Sequence, residues 1–336
     1  MHNNNDIVKG RNVGSRKSNS IRIAVAAAAA TLGLQCVTAS ASSILFVGNS
    51  FTYGEAAGGP NLVQPFGSST VTDLNGTNVG GVPALFKSFT LQAGLSYNVS
   101  LETVGGTGLD YHYNNKLGLL NKPWDDVVLQ SYSTLDASKP GDPTTLIQYS
   151  KLFADALHAQ NPAVSIHLNS TWSRADQTYL PTGHWFGRPI DAMEKDVQAG
   201  YDAAKANSPL ISDVIPVGAA WNRAFQTGFA DPNPYDGITP GQVNIWAPDS
   251  YHASVYGYYL EALTEFGDIT GLDPRGLGAS ELAAASLGIT SAQAVTLQGI
   301  AHDQLAAAVP EPASILMMVI GFFGLAWFGK RAAQAG

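Results

Sequence analysis

The segment Ile44-Leu45-Phe46-Val47-Gly48-Asn49-Ser50-Phe51-Thr52 indicates the architecture of this 336-residue chain. An apolar run that stops at Gly-Asn-Ser is typical of a buried parallel strand ending in a turn. Ser50 therefore follows the carboxyl end of a strand, which is the edge where open α/β sheets bind their ligands. A serine in this position is a candidate nucleophile, and a serine nucleophile needs a base.

Residues 1–41 have the features of a secretory signal peptide. Five basic residues lie within the first 22 positions, an alanine-rich apolar run covers 23–37, and Ala39-Ser40-Ala41 provides a small-x-small cleavage site. The alternative is a disordered tail followed by a core helix. The only cysteine, Cys36, lies in this segment, so we expect the exported protein to depend on an apolar core rather than on disulfides.

The opposite end, residues 309–336, contains Val309-Pro310-Glu311-Pro312, an apolar run over 313–328, and Lys330-Arg331. A helix over that run would span about 24 Å, less than the roughly 30 Å hydrocarbon core of a bilayer, with its basic end on the cytoplasmic side. The order of the three features resembles the PEP-CTERM sorting signal of Gram-negative bacteria. The resemblance implies an exosortase-type sorting enzyme as a partner, transient contact with the inner membrane, and a final place in the cell envelope, at the cell surface or in the extracellular matrix. An ordinary C-terminal membrane anchor is the alternative.

The body between these segments is acidic. Seven of the 18 basic and two of the 26 acidic residues lie in the terminal segments, which leaves 11 and 24 in the body, a net charge near −13. Such a surface repels phosphate backbones, so nucleic acid is not an expected partner.

Strand-like and helix-like segments alternate along the body. After the strand before Ser50 and a long Gly-, Asn- and Ser-rich loop over 54–81, strands are predicted at 97–104, 126–130, 163–168 and 213–217, and helices at 83–93, 144–160, 190–207 and 253–267. This alternation predicts an α/β fold with a five-stranded parallel sheet. We assign one domain to residues 42–270 and an alanine-rich helical segment, a possible stalk, to 271–308.

A base for Ser50 is found near the end of the body, in Pro248-Asp249-Ser250-Tyr251-His252. A neutral imidazole can take the serine proton on one ring nitrogen while a carboxylate fixes the other. We therefore predict Ser50 as nucleophile, His252 as general base and acid, and Asp249 as the residue that orients the imidazole.

Acyl transfer also needs hydrogen-bond donors for the developing oxyanion. The predicted donors are the backbone N–H of Ser50, Gly105 or Gly106 after the second predicted strand, and the side-chain amide of Gln130 after the third. All follow carboxyl ends of strands and are therefore expected on one edge of the sheet. For each glycine, a plain tight turn is the alternative.

Taken together, these segments resemble the SGNH (GDSL-like) hydrolase superfamily over roughly residues 43–268. Gly48-Asn49-Ser50 is similar to the family's first block, Gly105-Gly106 to its second, and Asp249-Ser250-Tyr251-His252 to its Asp-x-x-His block. The resemblance implies a three-layer α/β/α sandwich of flavodoxin-like type and a serine esterase that needs no cofactor or metal. The sequence departs from the family in two places: Asn49 stands where many members have Asp, and Gln130 stands near the expected Asn donor.

Several other polar and aromatic residues are further candidates. Trp172 and Trp246 are the tryptophans best placed to stack on a sugar, with burial in the core as the alternative. Arg174 and Arg188 are candidates for binding an anionic substrate, although the favoured interpretation is that both are solvated surface residues. The spacing of His112, His167 and His184 favours structural roles over metal binding.

The leading hypothesis is an exported esterase that removes short acyl groups, such as acetyl, from a carbohydrate or another ester. The carbohydrate setting comes from the two resemblances alone. An O-acyltransferase acting on exopolysaccharide would use the same residues, and a non-catalytic polysaccharide-binding or matrix protein on the same scaffold is the alternative from another class.

Overall fold

The computed structural model describes residues 41–308, so the predicted signal peptide and the predicted sorting helix lie outside the described residues. Within that range, six strands form one parallel sheet in the order β2-β3-β1-β4-β5-β6. The strands are β1 (Ser42–Gly48), β2 (Thr72–Asp73), β3 (Tyr97–Thr103), β4 (Asp126–Leu129), β5 (Ser165–Asn169) and β6 (Asp213–Ile215).

The sheet has six strands rather than the five predicted. The additional strand, β2, has two residues inside the loop over 54–81 and pairs with β3 at the sheet edge. Two residues are too few to show an alternating or apolar pattern, so sequence periodicity could not reveal this strand.

Helices cover both faces of the sheet. They are α1 (Ser50–Tyr53), α2 (Gly81–Gln92), α3 (Leu109–Leu120), α4 (Thr144–Gln160), α5 (Ala175–Tyr179), α6 (Asp191–Ala206), α7 (Val217–Gln226), α8 (Val255–Thr270), α9 (Leu282–Ser286) and α10 (Ser291–Ala308), with a 3₁₀ turn at Pro274–Leu277. Four of these helices, α1, α3, α5 and α7, are not predicted from the sequence.

Strand β1 contributes to both apolar cores, which explains its uninterrupted apolar sequence. Ile44 and Phe46 pack into one core with α2, α7, α8 and α10, while Leu45 and Val47 pack into the other with α4 and α6. Because successive side chains of a strand point to opposite faces, a central strand covered on both sides needs apolar residues at every position. The predicted three-layer α/β/α sandwich is confirmed.

The segment over 271–308 is helical, as expected, but it does not extend away as a stalk. Helix α10 packs against α7 and α8, and Leu297 and Ile300 on it are buried in the same core as α2. Within residues 41–308, none of the helices has both the length and the apolar character needed to cross a bilayer.

His167, the third residue of β5, joins three strands. Its Nδ1 lies 2.8 Å from Asp213 at the start of β6, and its Nε2 lies 3.5 Å from Asp126 at the start of β4. Burial disfavours the protonated imidazole, but the nearby Asp126 and Asp213 carboxylates outweigh that effect and raise the pKa of His167 to about 9.

This ion pair predicts a pH-dependent stability. Because its pKa is higher in the folded than in the unfolded protein, His167 contributes fully to stability below its unfolded pKa of about 6.5. This contribution is lost as the pH rises through 9. We expect His167→Asn to lower the free energy of unfolding by on the order of 2 kcal/mol at pH 6 and by much less at pH 10, measured by urea unfolding. The exposed His184→Asn is the control, and an equal loss at both pH values would contradict the prediction.

Candidate active site

Asparagine 49 shapes the turn that presents Ser50. Its side-chain oxygen accepts from the Phe51 N–H at 3.1 Å and caps α1, while its side-chain nitrogen donates to the carbonyls of Thr107 and Ser131 at 2.9 and 3.1 Å. An aspartate could cap the helix but could not donate to two carbonyls. This contact pattern gives a physical reason for Asn at this position.

Gln130 links the end of β4 to the turn before Ser50 through hydrogen bonds. Its Oε1 accepts from the Asn49 N–H at 2.9 Å and from the Thr52 hydroxyl at 3.2 Å, and its Nε2 donates to the Ser131 carbonyl. The side chain is fully buried. In the structure Gln130 therefore supports the turn from inside the protein, and this corrects the prediction that its amide faces an oxyanion.

Asp249 and His252, which the Asp-x-x-His motif predicts to share one site, form a hydrogen-bonded pair. His252 Nδ1 lies 2.6 Å from one Asp249 oxygen, while the other oxygen accepts from the backbone N–H groups of Tyr251 and His252 at 3.0 and 2.9 Å. Burial alone would raise the pKa of the Asp249 carboxyl, but these hydrogen bonds hold it below its usual range. A charged Asp249 fixes the proton on His252 Nδ1, which leaves Nε2 as the basic nitrogen.

The loop that carries His252 lies against the turn that carries Ser50. The Phe51 ring is 5.8 Å from the His252 ring, and the Tyr258 hydroxyl, on the helix after His252, donates to the Glu55 carbonyl at 2.6 Å and lies 3.3 Å from the Ser50 carbonyl. His252 Nε2 is buried and has no hydrogen-bond partner among residues 41–308. The atom that a general base would use is therefore unengaged, and a hydrogen bond to Ser50 Oγ is not formed.

The predicted backbone donors follow β1 and β3, which are neighbouring strands. The Val104 N–H donates to the Gly48 carbonyl at 3.1 Å, so the end of β3 lies beside the turn before Ser50. Gly106 has φ +72°, a conformation that favours glycine. These positions suit a backbone oxyanion site, although the tight turn alone also accounts for the glycine at 106.

The two tryptophans predicted as sugar platforms are buried, and this corrects their assignment. Trp172 is stacked between Phe51 and Trp221 at 4.1 and 4.5 Å, and Trp246 packs on Phe225 at 5.2 Å. Their exposed fractions are 0% and 1%, so neither ring offers a face to a ligand. Phe51, next to Ser50, is the end of this aromatic stack.

Arginine 174 has a position that sequence reasoning missed. Its guanidinium lies over the Tyr251 ring, 3.5 Å from the centroid, and the Tyr251 and His252 rings lie 4.1 Å apart. Two planar groups this close to one ring centroid would collide on the same face, so Tyr251 is held between Arg174 and His252. Nothing in the local sequence links position 174 with position 251.

Residues 172–176 hold the Asp249–His252 loop at two further points. The Trp172 indole N–H donates to the Tyr251 carbonyl at 3.3 Å, and the Asp176 N–H donates to the Ser250 carbonyl at 3.3 Å. Asp176 also binds Arg174 through two hydrogen bonds of 3.0 and 2.6 Å. Ser250 has φ +56°, which is unfavourable for a residue other than glycine, so these contacts stabilise a strained loop.

The remaining candidates lie elsewhere. His112 is buried and paired with Glu102 at 2.5 Å, and the exposed Arg188 pairs with Asp196 at 2.7 Å. His167, Asp213 and Asp268 place possible ligand atoms within 4.8 Å of one another. His167 lies in the middle of β5, Asp213 begins β6 and Asp268 is on α8. The two aspartates line a cavity of about 600 Å³ whose lining does not include Ser50, Asp249 or His252.

Comparison with known proteins gives one sequence motif and several similar structures. A family model described as the PEP-CTERM protein-sorting motif matches residues 308–331. A search of curated proteins gives no match. A DUF4886 family protein from Bacteroides uniformis is 16% identical, with a TM-score of 0.51 over 80% of this chain and 95% of that one.

SGNH-type hydrolases are also among the similar structures. One described as a putative SGNH hydrolase from Slackia heliotrinireducens is 21% identical, with a TM-score of 0.44 over 68% of this chain and 100% of that one. A catalytic mutant of an acetylxylan esterase from Geobacillus stearothermophilus is 17% identical, with a TM-score of 0.43 over 69% and 94%. At these identities the likeness concerns the fold alone, a parallel α/β sheet with flanking helices.

The contacts of Gln130 predict a stability effect. We expect Gln130→Leu to lower the free energy of unfolding by about 1–3 kcal/mol, because it leaves the buried Asn49 N–H without an acceptor. Thr52→Val removes only the longer 3.2 Å contact and serves as the matched control. Denaturant unfolding measures both, and equal effects would contradict the role assigned to Gln130.

The contacts of Arg174 predict an effect on the reactivity of Ser50. We expect Arg174→Met to slow fluorophosphonate labelling of Ser50 at least tenfold, because the loop that aims His252 loses its outer support. The melting temperature should change little, and Arg188→Met is the control at an exposed arginine. Labelling at the wild-type rate in Arg174→Met would show that the contact does not position the base.

Proposed function

We propose that this protein is an exported serine esterase. The observation that carries the proposal is the Asp249–His252 pair at 2.6 Å, whose buried, unpartnered Nε2 lies in a loop packed against the turn of Ser50. The SGNH-type fold supports it, because the carboxyl ends of β1 and β3 meet at this edge and supply the backbone donors that acyl transfer needs.

The proposed reaction is acyl transfer in two steps. Ser50 Oγ attacks the ester carbonyl while its proton passes to His252 Nε2, and Asp249 stabilises the imidazolium that forms. Backbone N–H groups of Ser50 and of the Gly105-Gly106 turn stabilise the tetrahedral oxyanion. The leaving alcohol takes the proton from His252. Water, deprotonated by the same nitrogen, then attacks the acyl-serine and releases the carboxylic acid.

The proposed substrate is a short acyl ester, such as an acetyl group, on a carbohydrate. The PEP-CTERM motif supports export to the cell envelope of a Gram-negative bacterium, with an exosortase-type enzyme as processing partner. An envelope setting brings the protein into contact with acylated polysaccharides. Transfer of the acyl group onto a sugar hydroxyl would use the same residues, and product analysis with added glycan distinguishes it from hydrolysis.

The triad predicts specific losses of activity. We expect the purified protein to hydrolyse p-nitrophenyl acetate, Ser50→Ala and His252→Ala to lower kcat by at least a thousandfold, and Asp249→Asn by about a hundredfold to ten thousandfold. The Asp249 variant keeps the side-chain acceptor for the backbone N–H groups but loses the charge that fixes the tautomer. Spectrophotometric rates measure the effect, and equal rates in wild type and all three variants would exclude this triad.

A second candidate is a non-catalytic polysaccharide-binding protein on the same scaffold. It is favoured by one observation, the inward-facing Gln130 at the position where the family resemblance implies an amide donor. This alternative predicts glycan binding that survives Ser50→Ala, and no fluorophosphonate label on the peptide that contains Ser50.

A further inference from the structure

A polar cavity of about 540 Å³ opens beside the Gly105-Gly106 turn. Its walls come from three separate parts of the chain: the loop over 54–81, the end of β3, and one side of α3. The volume falls within the range of small-molecule sites. The long loop, which had no assigned role in the sequence, therefore forms one side of a ligand-sized cavity.

This cavity adjoins the candidate active site. Tyr53, which belongs to the same short helix as Ser50, lines it together with Gly105. A side chain at position 105 would come within 2.8 Å of the Tyr53 hydroxyl, so glycine keeps this boundary open. An ester whose carbonyl oxygen reaches the predicted backbone donors has the cavity next to it.

The lining is rich in hydrogen-bonding groups held in fixed positions. The Asn75 amide donates to Glu102 and to the Thr103 carbonyl at 3.0 and 2.9 Å, and its oxygen accepts from Lys116 Nζ at 2.9 Å. One of the three ammonium donors of Lys116 is thereby used, and others are available to a ligand. Gln64, Thr77 and Tyr111 add further polar groups.

The charge in this cavity is largely compensated. The buried Glu102 lies 3.9 Å from Lys116 Nζ and 2.5 Å from His112, so the lysine is matched by a carboxylate behind it. A compensated ammonium among amides, hydroxyls and half-buried tyrosine rings favours neutral hydroxyl groups over an anion.

We propose that this cavity binds the saccharide part of the substrate, with Lys116 and Tyr111 donating to sugar hydroxyls. The inference rests on the proposed esterase function for the position of the ester, whereas the binding of a neutral saccharide can be measured without catalysis.

The kinetic test compares two esters on the full-length protein: 6-O-acetylglucose, whose other hydroxyls are free, and p-nitrophenyl acetate, which has no sugar. We expect Lys116→Met and Tyr111→Phe each to lower the ratio of kcat/KM for the sugar ester to that for p-nitrophenyl acetate, Lys116→Met at least tenfold. Lys151→Met, at an exposed lysine paired with Asp155 on α4, should leave the ratio unchanged. Equal losses on both esters, or no change in the ratio, would overturn the proposal.

A binding test separates the cavity from the reaction. We expect xylotetraose to bind full-length Ser50→Ala in calorimetric titrations and its dissociation constant to rise at least tenfold when Lys116→Met is added. Binding that is unaffected by Lys116→Met, or absent from Ser50→Ala, counts against the cavity. If the wild type hydrolyses neither ester but xylotetraose binding depends on Lys116, the esterase proposal fails while the saccharide site stands.

Discussion

A buried amide joins the two central strands where the candidate nucleophile begins. Gln130 Oε1, at the end of β4, accepts from the Asn49 N–H at the end of β1 and from the Thr52 hydroxyl one turn later. These contacts leave no space at position 48, where a Cβ would lie 2.1 Å from the Thr52 hydroxyl and 2.8 Å from Gln130. The glycine at position 48 and the position of the turn before Ser50 thus depend on one buried acceptor, Gln130 Oε1.

The candidate nucleophile and base share one support, Trp172, which follows β5. Its ring stacks on Phe51, next to Ser50, and its indole N–H donates to the Tyr251 carbonyl, next to His252. A single buried side chain that contacts both segments holds the two reacting groups at a set separation. The unfavourable φ of Ser250 indicates that the loop geometry is imposed by these tertiary contacts.

The sequence predicted those parts of the structure that depend on local patterns. The apolar run at 44–47, helix 144–160 and the Asp-x-x-His spacing all concern residues close together in the chain. The roles of Gln130, Trp172 and Arg174 depend instead on partners 77 to 81 positions away, which one sequence does not pair. Helix α3 escaped prediction because its sequence, with Gly118 and two asparagines, lacks a clear apolar side: only Leu109, His112 and Leu120 are buried.

The packing of α10 determines how the candidate active site is oriented relative to residue 308. Ala308, the last residue of α10, lines the same cavity as Gly271, which caps the end of α8. Helix α8 begins three residues after His252, so α10 ends near the end of α8 that is farther from His252. Ser50 stands at the carboxyl edge, and the sorting motif begins at residue 308. An anchor joined to residue 308 would therefore lie on the side of the domain away from Ser50. In that arrangement the candidate active site would face away from the anchoring surface and would be open to long polymers.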